Sequence, residues 1–299
     1  MAEFNLKQYL AERKQLVEAA LEREFPQPSG LQKTVIEAAR YSLFAGGKRL
    51  RPILCLAAAE VCGSNPETVM PMACALEMIH TYSLIHDDLP AMDNDDYRRG
   101  MLTSHKVFGE AMAILAGDAL LTEAFGFAAR MMDGDSVSAA AVLKAIRVLV
   151  KASGYRGMIG GQVIDLESES RDVDMATVEY MHIHKTGALI AGSLEVGALL
   201  GGGSEEDVAS LKRYGHHLGL AFQITDDLLD VEGDAAVMGK KPGSDAAKNK
   251  KTYPALIGIS RSREAAREHV DQTLQTLQRF DEKAEPLRAI ARYLLVRKA

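Results

Sequence analysis

Acidic side chains follow two apolar helical stretches, and their types and spacing could hold divalent cations. In the first cluster, Asp87 and Asp93 stand six residues apart, with Pro90 between them. Six residues is too far for one face of a regular helix, so we expect the helix to end or bulge near the proline and bring both carboxylates together. In the second cluster, Asp226 and Asp230 are spaced i, i+4, which predicts that they project from one helix face.

This density of carboxylates indicates a metal site that shares its ions with phosphate. Like charges packed closely repel one another unless a cation lies among them. Magnesium prefers carboxylate oxygens and usually shares them with substrate phosphates. Two clusters on separate helices therefore predict one cavity with two acidic walls, in which two or three Mg²⁺ ions hold a diphosphate. A solvated acidic helix end explains a single cluster about equally well, but two such clusters favour the metal site. The ligand spacing of an EF-hand is absent.

Basic residues that could bind the diphosphate lie in several other segments. The segment GGKRLRP at residues 46–52 places three cations after two glycines, which let a phosphate approach the backbone. Its spacing does not match a Walker A loop. Arg98 and Arg99 follow the first acidic cluster, and arginine binds phosphate oxygens in a bidentate manner. Further cations occur in HIHKTG at residues 182–187 and at Lys240.

Long helices must position these residues, because apolar residues recur at helical spacing along most of the chain. One example is Leu287, Ile290 and Leu294. The glycine and proline breaks are sparse and separate stretches of roughly 15–28 residues, which is long for helices of globular proteins. We find no convincing hairpin, and Asp133-Gly134 is typical of helix ends here. No break resembles a domain linker, so we expect one all-α domain over residues 1–299.

Composition excludes several other classes of protein. Apolar residues make up 47% and charged residues 25% of the 299 residues, the ordinary globular mixture. The net charge of −6 argues against general nucleic-acid binding. Cys55, Cys62 and Cys74 form no CxxC pair, which favours buried thiols in a reducing compartment. The start of the chain has no signal-peptide core, and the most apolar stretch, residues 187–203, is short for a membrane span. We therefore expect a cytoplasmic protein without membrane insertion.

Taken in order, the motifs resemble those of the trans-isoprenyl diphosphate synthases, and most closely those of the bacterial farnesyl diphosphate synthases. The ordered set covers nearly the whole chain: GGKRLRP, DDLPAMD with RRG behind it, GQVIDLE, HKTGALI, FQITDDLLD and GKKPGSD. The resemblance implies an all-α fold of long antiparallel helices around a deep central cavity, and a homodimer. It also implies condensation of isopentenyl diphosphate with dimethylallyl and geranyl diphosphate.

The resemblance implies roles for the acidic and polar residues by position. Asp87 and Asp93 would bind two Mg²⁺ ions on the allylic diphosphate, and Asp226 would bind a third with Asp227 and Asp230 in support. Oxygen atoms of Thr186 and Gln223 would stabilise the allylic cation. The released diphosphate would accept the proton, so no protein base is required.

The basic residues would divide between the two diphosphates. Those implied to contact the allylic diphosphate are Arg98, Lys185 and Lys240. Those implied to hold isopentenyl diphosphate are Gly47, Lys48, Arg51, His80 and Arg99.

Tyr82 is the residue that could limit the length of the product. It lies five residues before Asp87, about 7.5 Å along an ideal helix. A bulky ring there could close the hydrocarbon tunnel. An aromatic residue at this place, together with the two extra residues of the first aspartate motif, resembles the pattern of family members that make fifteen-carbon products. Ser83 is small, so a twenty-carbon product stays open, and ordinary core packing of Tyr82 would leave the length unset.

Three other readings stay open at this point. A class I terpene cyclase would share the helical cavity but would not need the second diphosphate site suggested by Lys48, Arg51 and His80. A non-catalytic helical subunit could lose its aspartates, whereas both clusters are intact here. A nucleic-acid or phosphate-sensing module has only the basic turn in its favour. The C-terminal Arg297-Lys298 could form a lid over the phosphates.

Overall fold

The protein is mostly helical in the residues described by the computed structural model, which are 4–134, 136–169, 171–233 and 250–297. This confirms the expected all-α class. The α-helices are α1 Leu6–Glu24, α2 Lys33–Leu43, α3 Leu50–Val61, α4 Met70–Asp87, α5 Ser104–Phe108, α6 Glu110–Ala129, α7 Ala139–Ser153, α8 Met158–Ser168, α9 Met175–His182, α10 Ala188–Leu200, α11 Glu205–Glu232, α12 Tyr253–Ile257, α13 Ile259–Thr276 and α14 Glu285–Leu294.

Short irregular turns join several of these helices. A five-residue π-helical turn, Ile183–Gly187, connects α9 to α10. The 3₁₀ turns are Pro66–Val69, Arg130–Asp133 and Glu282–Ala284.

A small hairpin corrects the expectation that the chain has none. Strand β1, Tyr97–Arg98, pairs antiparallel with β2, Met101–Leu102. The two turn residues, Arg99 and Gly100, have φ of 54° and 79°. Positive φ at both central positions is the backbone of a type I′ turn, which matches the twist of paired strands. Strands of two residues are too short for an alternating pattern, so the sequence carried no clear signal for them.

The core lies where α4 packs against α3 and α6 and where α10 packs against α3, α7 and α11. α4 is buried on nearly every face, including Glu77, which is 1% exposed. The Arg49 guanidinium lies 2.6 Å from the Glu77 carboxylate and donates to the Leu43 carbonyl at 2.7 Å. Breaking a buried pair of this kind by removing one partner costs about 3–5 kcal/mol. This pair therefore fixes the GGKRLRP segment to α4, the helix that carries the first aspartates.

Helix α6 has an apolar face that the other described residues do not cover. Residues 110–133 are long and apolar enough to cross a membrane by length and composition alone, and 39% of that stretch is buried. Ala113, Ala116 and Leu120 face the core, while Ile114 and Leu115 are 44% and 51% exposed. The helix thus joins the core on one side and presents apolar side chains on the other.

Candidate active site

The first acidic cluster forms because the chain reverses direction directly after α4. The helix ends at Asp87, and the Asp93 amide donates to the Asp87 carbonyl at 2.9 Å. Asn94 takes a left-handed φ of 50° and its amide donates to the Leu89 carbonyl at 3.1 Å. This is the helix end and convergence expected from Pro90. Burial raises the pKa of Asp87, and the nearby Asp93 carboxylate raises it further.

Cationic and amide side chains face these two carboxylates. The Lys185 ammonium lies 3.8 Å from Asp87 and 2.5 Å from the buried carboxylate of Asp165. The Gln162 amide donates to the other Asp87 oxygen at 2.6 Å. Lys250 lies 3.7 Å from Asp93. The carboxylates of Asp87 and Asp93 therefore each have a lysine ammonium within 4 Å.

The π-helical turn places Lys185 and Thr186. A π turn inserts one extra residue and is frequent at functional sites. It packs so tightly on α8 that a Cβ on Gly161 would lie 2.0 Å from the Lys185 amide nitrogen. It is also close to α11, where a Cβ on Gly219 would lie 2.7 Å from the Gly187 Cα. Gln223 follows Gly219 by one helical turn, so it lies on the same face of α11 as the glycine that meets this turn.

The aspartates of the second acidic cluster differ in exposure. The side chain of Asp226 is 42% exposed and accepts a hydrogen bond of 2.5 Å from Arg297. Asp230 is only 2% exposed, so the two do not present equal carboxylates to solvent. Burial raises the pKa of Asp226, and Arg297 works in the opposite direction. Asp226 is therefore partly desolvated but still accessible to solvent.

Asp227 points to a different part of the molecule. Its carboxylate lies 3.1 Å from the His182 ring nitrogen and accepts a hydrogen bond of 3.0 Å from the Tyr253 amide. The side chain is 5% exposed. These contacts join α11 to α9 and α12, so Asp227 holds helices together and can support the site only indirectly.

Arg297 closes the second cluster from the far end of the chain. It donates to the Phe222 carbonyl at 2.9 Å and to the Thr225 hydroxyl at 2.8 Å, in addition to Asp226. Its guanidinium lies over the Phe222 ring at 4.3 Å. Burial and the positive charge of Arg297 lower the pKa of Lys48, whereas Asp226 raises it. Lys298 and Lys240, two further residues considered from the sequence, lie outside the described residues.

The residues assigned to the second diphosphate lie together. Gly47 has a φ of 118°, and a Cβ there would lie 2.5 Å from the guanidinium carbon of Arg99. Arg99 donates to the Gly46 carbonyl. Burial lowers the pKa of Arg51 to about 10, and the charge of Arg99 adds to that effect. The double glycine therefore makes room for an arginine from the hairpin, and this brings several positive charges together.

His80 lies within reach of the same charges. Burial and then Arg51, Arg99 and Arg98 hold its pKa well below the ordinary value. The imidazole is therefore neutral at pH 7 and can donate one N–H without adding charge.

Arg98 is held by Asp88 in this structure. Its Nε lies 2.7 and 2.9 Å from the two carboxylate oxygens, and Nη2 lies 2.6 Å from one of them. Asp88 is 3% exposed. A charge-assisted contact of this kind fixes the planar guanidinium. Asp88 thus sets the orientation of Arg98, and it contributes to the site through this contact.

A chain of contacts joins the two acidic clusters. Asp226 binds Arg297, which is close enough to Lys48 to lower its pKa. Gly47, beside Lys48, packs against Arg99 of the hairpin. Arg98 is close enough to Asp87 to lower the pKa of that carboxyl. The ends of α4 and α11 therefore contribute to one group of charged side chains.

The donor set suits magnesium shared with phosphate better than a closed metal site. Within residues 4–134, 136–169, 171–233 and 250–297, no group of three or more His, Cys, Asp or Glu side chains could hold an ion by itself. Asp87, Asp93 and Asp226 supply oxygen donors, and the lysines and Arg297 facing them occupy positions where a cation is favoured. Magnesium commonly takes one or two carboxylates and completes its shell with water and substrate phosphate.

Tyr82 is buried on α4 below the first aspartates. The residue is 5% exposed, and its ring meets His86 edge to face at 5.7 Å. Its buried hydroxyl has no hydrogen-bond partner among the described residues, and burial raises its pKa to about 12. Ser83, beside it, donates to the His80 carbonyl at 2.8 Å. The Tyr82 ring is therefore held by packing.

Sequence reasoning missed several contributors to this site. Gln162 and Asp165 lie in the GQVIDLE motif and are spaced i, i+3. This spacing was the only sequence signal that both side chains lie on one helix face. Lys250 carried no motif. Arg297 was considered only as part of a lid, and its contact with Asp226, 71 residues away, had no local signal in the sequence. Their roles depend on contacts between distant segments.

The match to known proteins agrees with this geometry. The family model described as polyprenyl synthetase matches residues 32–293. The chain belongs to this family, the trans-isoprenyl diphosphate synthases. Members are prenyltransferases, and this activity class applies to the chain.

The curated relatives cover nearly the whole chain but differ in name. A dimethylallyltranstransferase from Fischerella ambigua is 52% identical, covering 99% of this chain and 85% of its own length. A geranylgeranyl diphosphate synthase from Cyanophora paradoxa is 48% identical over 98% and 97%. A farnesyl diphosphate synthase from Geobacillus stearothermophilus is 47% identical over 94% of each chain. Overall identity therefore does not separate the product lengths.

A solved structure gives the same fold. The farnesyl/geranylfarnesyl diphosphate (FPP/GFPP) synthase of Zymomonas mobilis superposes with a TM-score of 0.87 at 38% identity. The match covers 97% of this chain and 99% of the other. The helical arrangement expected from the motifs is confirmed at this level.

Proposed function

We propose that the protein makes farnesyl diphosphate by adding isopentenyl diphosphate to dimethylallyl and then geranyl diphosphate. The observation that carries this proposal is the grouping of Asp87, Asp93 and Asp226 with the basic residues around Gly47. One diphosphate must ionise beside metal, and a second must be held beside it. The two groups of side chains match those two requirements.

Magnesium, with three ions per site in our proposal, would be held by Asp87, Asp93 and Asp226. When bound, it supplies Lewis-acid stabilisation of a diphosphate leaving group. Lys185 and Arg98 orient that diphosphate, and Lys240 is proposed for the same role. Lys185 is fixed for this purpose by Asp165 at 2.5 Å.

The second substrate is proposed to lie on Gly47, Lys48, Arg51, His80 and Arg99. His80 is neutral, so it donates a hydrogen bond and leaves the positive charge to the arginines. Thr186 and Gln223 make no side-chain hydrogen bond within the described ranges, so their oxygens are available to the allylic cation. The departing diphosphate accepts the proton lost at the end.

We propose fifteen carbons as the product length because Tyr82 puts a buried ring five residues before Asp87. The test is product chromatography from dimethylallyl and radiolabelled isopentenyl diphosphate. Tyr82→Ala should lengthen the major product, because it removes the ring. Tyr82→Phe is the matched control and should keep the original length, because the hydroxyl makes no hydrogen bond to any residue that the structure describes. An active Tyr82→Ala variant with unchanged product would contradict this role.

A twenty-carbon product is the second candidate, since one relative at 48% identity is named a geranylgeranyl diphosphate synthase. Ser83 is small and partly buried on the same helix. If the wild-type protein yields mainly the twenty-carbon diphosphate in the same assay, the fifteen-carbon proposal is wrong.

We also propose that the chain works as one domain, in the cytoplasm, as a homodimer. The site takes residues from Gly47 to Arg297, so it needs most of the chain. The partner would cover the outer face of α6, where Ile114 and Leu115 are exposed. Light scattering should give twice the mass of 32.4 kDa, and Leu115→Glu should shift it to one chain. A monomeric wild-type protein would contradict the dimer.

A further inference from the structure

A groove of about 610 Å³ lies away from the acidic clusters, between α7, α10 and the first half of α11. Five cationic side chains line it, and one acidic residue, Glu195, faces them. The cations are Lys144, Arg147, Lys151, Arg156 and Lys212. The groove thus carries a formal charge of +4, from five positive charges and one negative, on a protein whose net charge is −6.

The positive charges are concentrated on one face of α7. Lys144, Arg147 and Lys151 are spaced three and four residues apart and are exposed. In the part of the chain that the structure describes, none of these three makes an ion pair or a side-chain hydrogen bond. The carboxylate of Glu195 lies 2.9 Å from Lys212 and is already paired. The α7 cations therefore repel one another without a countercharge from the protein.

Positive charges from both walls of the groove affect the pKa of the same histidine. Burial lowers the pKa of His216 on α11, and Lys212 and Lys151 lower it further. Lys151 belongs to α7 and Lys212 to α11, so the charges of the two walls converge across the groove.

The bottom of the groove is apolar. Val148, Ala152 and Ala191 line it. A Cβ on Gly192 would lie 2.9 Å from the Ala152 Cβ, so α7 and α10 touch closely there. An anionic head with an apolar body fits this combination of charged rim and apolar base.

The groove shares an element with the candidate active site. Ile183 and His184 line the groove, while the next residues, Lys185 and Thr186, belong to the site. All four lie in the π-helical turn. His184 is fixed by stacking on Tyr180 at 3.8 Å and by a contact of 2.7 Å between its Nδ1 and the Tyr180 carbonyl.

We propose that this groove is a second binding site, for a phosphorylated amphiphile, separate from the catalytic site. The phosphate contacts the α7 cations, and the hydrocarbon lies on the apolar base. A bound ligand contacts the π-helical turn at Ile183 and His184, next to Lys185. This coupling, unlike the binding itself, rests on the proposed function.

The binding test uses monomeric dodecyl phosphate and calorimetry in EDTA, which removes metal-dependent binding at the acidic clusters. The wild-type protein should bind one molecule, and the triple variant Lys144→Glu/Arg147→Glu/Lys151→Glu should bind roughly tenfold more weakly or worse. The matched control, Lys7→Glu/Lys33→Glu/Arg267→Glu, makes the same charge change elsewhere and should bind like the wild type. Unfolding curves check that all three proteins fold.

Other outcomes overturn the proposal. Equal binding by both triple variants, or no binding by the wild type, removes the site. Loss of binding in Lys48→Glu/Arg51→Glu, with binding retained in the α7 variant, places the ligand in the candidate active site. Vesicles of phosphatidylcholine with phosphatidic acid distinguish the source: vesicle binding without binding of the soluble probe indicates a membrane surface and overturns the small-ligand site.

The coupling has its own measurement. Amide hydrogen exchange of residues 183–187 should slow when dodecyl phosphate binds. Binding without this protection leaves the site in place and overturns the coupling. Neither result depends on turnover, so failure of the proposed function stays distinguishable.

Discussion

Replacing Gly161 by alanine should damage the candidate site through backbone packing alone. The new Cβ would lie 2.0 Å from the Lys185 amide nitrogen, 2.5 Å from its Cα and 2.7 Å from the His184 carbonyl carbon. Ordinary contacts are near 3.4 Å or longer, so α8 and the π-helical turn must separate by roughly 1 Å. Overpacking of this kind costs about 1–3 kcal/mol, partly offset by the higher helix propensity of alanine, which is worth about 1 kcal/mol.

The functional loss should exceed the loss of stability. Lys185 would move relative to Asp87 and Asp165, from which it is now 3.8 and 2.5 Å away. A misplacement of about 1 Å at a positioning group can cost roughly 10²-fold in rate. We therefore expect turnover to fall about a hundredfold while the protein still unfolds cooperatively, with a midpoint lower by only a few degrees.

Magnesium-dependent diphosphate release and thermal unfolding measure the two effects. Gly126→Ala is the matched control, because its Cβ would meet only a Glu123 side-chain oxygen at 3.8 Å, also within a helix. It should keep full activity and equal or higher stability. If Gly161→Ala is as active as Gly126→Ala, the π-helical turn does not set the position of Lys185, and our reasoning about this site is wrong.

Three further predictions concern Asp87, Arg297 and Cys62. Asp87→Asn should reduce magnesium-dependent turnover by at least about a hundredfold, and undiminished activity would remove the metal assignment. Arg297→Gln should tighten Mg²⁺ binding to the substrate-free protein, because it removes a competing cation from Asp226. Arg297 lowers the pKa of Asp226, so its loss raises that pKa and leaves more of the carboxyl protonated at low pH. Calorimetry should therefore show a larger gain in Mg²⁺ affinity at pH 8 than at pH 6. An Mg²⁺ affinity equal to that of the wild type at both pH values contradicts this prediction. Burial raises the pKa of Cys62 to about 11. Only about one Cys62 thiol in 10³ is therefore ionised at pH 8, and its alkylation should be slow until the protein unfolds. Rapid labelling of Cys62 in the folded protein contradicts this prediction.

The sequence was sufficient for features set by local spacing. The repeated apolar positions predicted long helices because a helix must bury one face. The structure confirms lengths of 15 residues or more for α1, α4, α6, α7, α11 and α13, whereas the other helices are shorter than predicted. Pro90 between Asp87 and Asp93 predicted a helix end, since proline disrupts the backbone hydrogen bonds around it, and the chain does reverse there.

Features that depend on distant segments could not be read in the same way. Asp226 and Asp227 are adjacent and chemically identical, yet one faces Arg297 and the other binds His182 and the Tyr253 amide. Helical geometry rotates neighbours by about 100°, so spacing shows that they differ but not which partner each one meets. The hairpin was missed because each of its strands has only two residues.

The two contacts of Lys185 differ in length, which matters for the proposed metal site. Its ammonium is 2.5 Å from Asp165 but 3.8 Å from Asp87, so Asp165 is the stronger anchor. If Asp87 held a divalent ion, Lys185 would give up only the weaker of the two contacts and would stay tethered by the buried Asp165. The ammonium would then remain beside Asp87, where the proposed diphosphate would bind. We therefore expect Asp165→Asn to loosen Lys185, because it removes the negative charge that holds the ammonium.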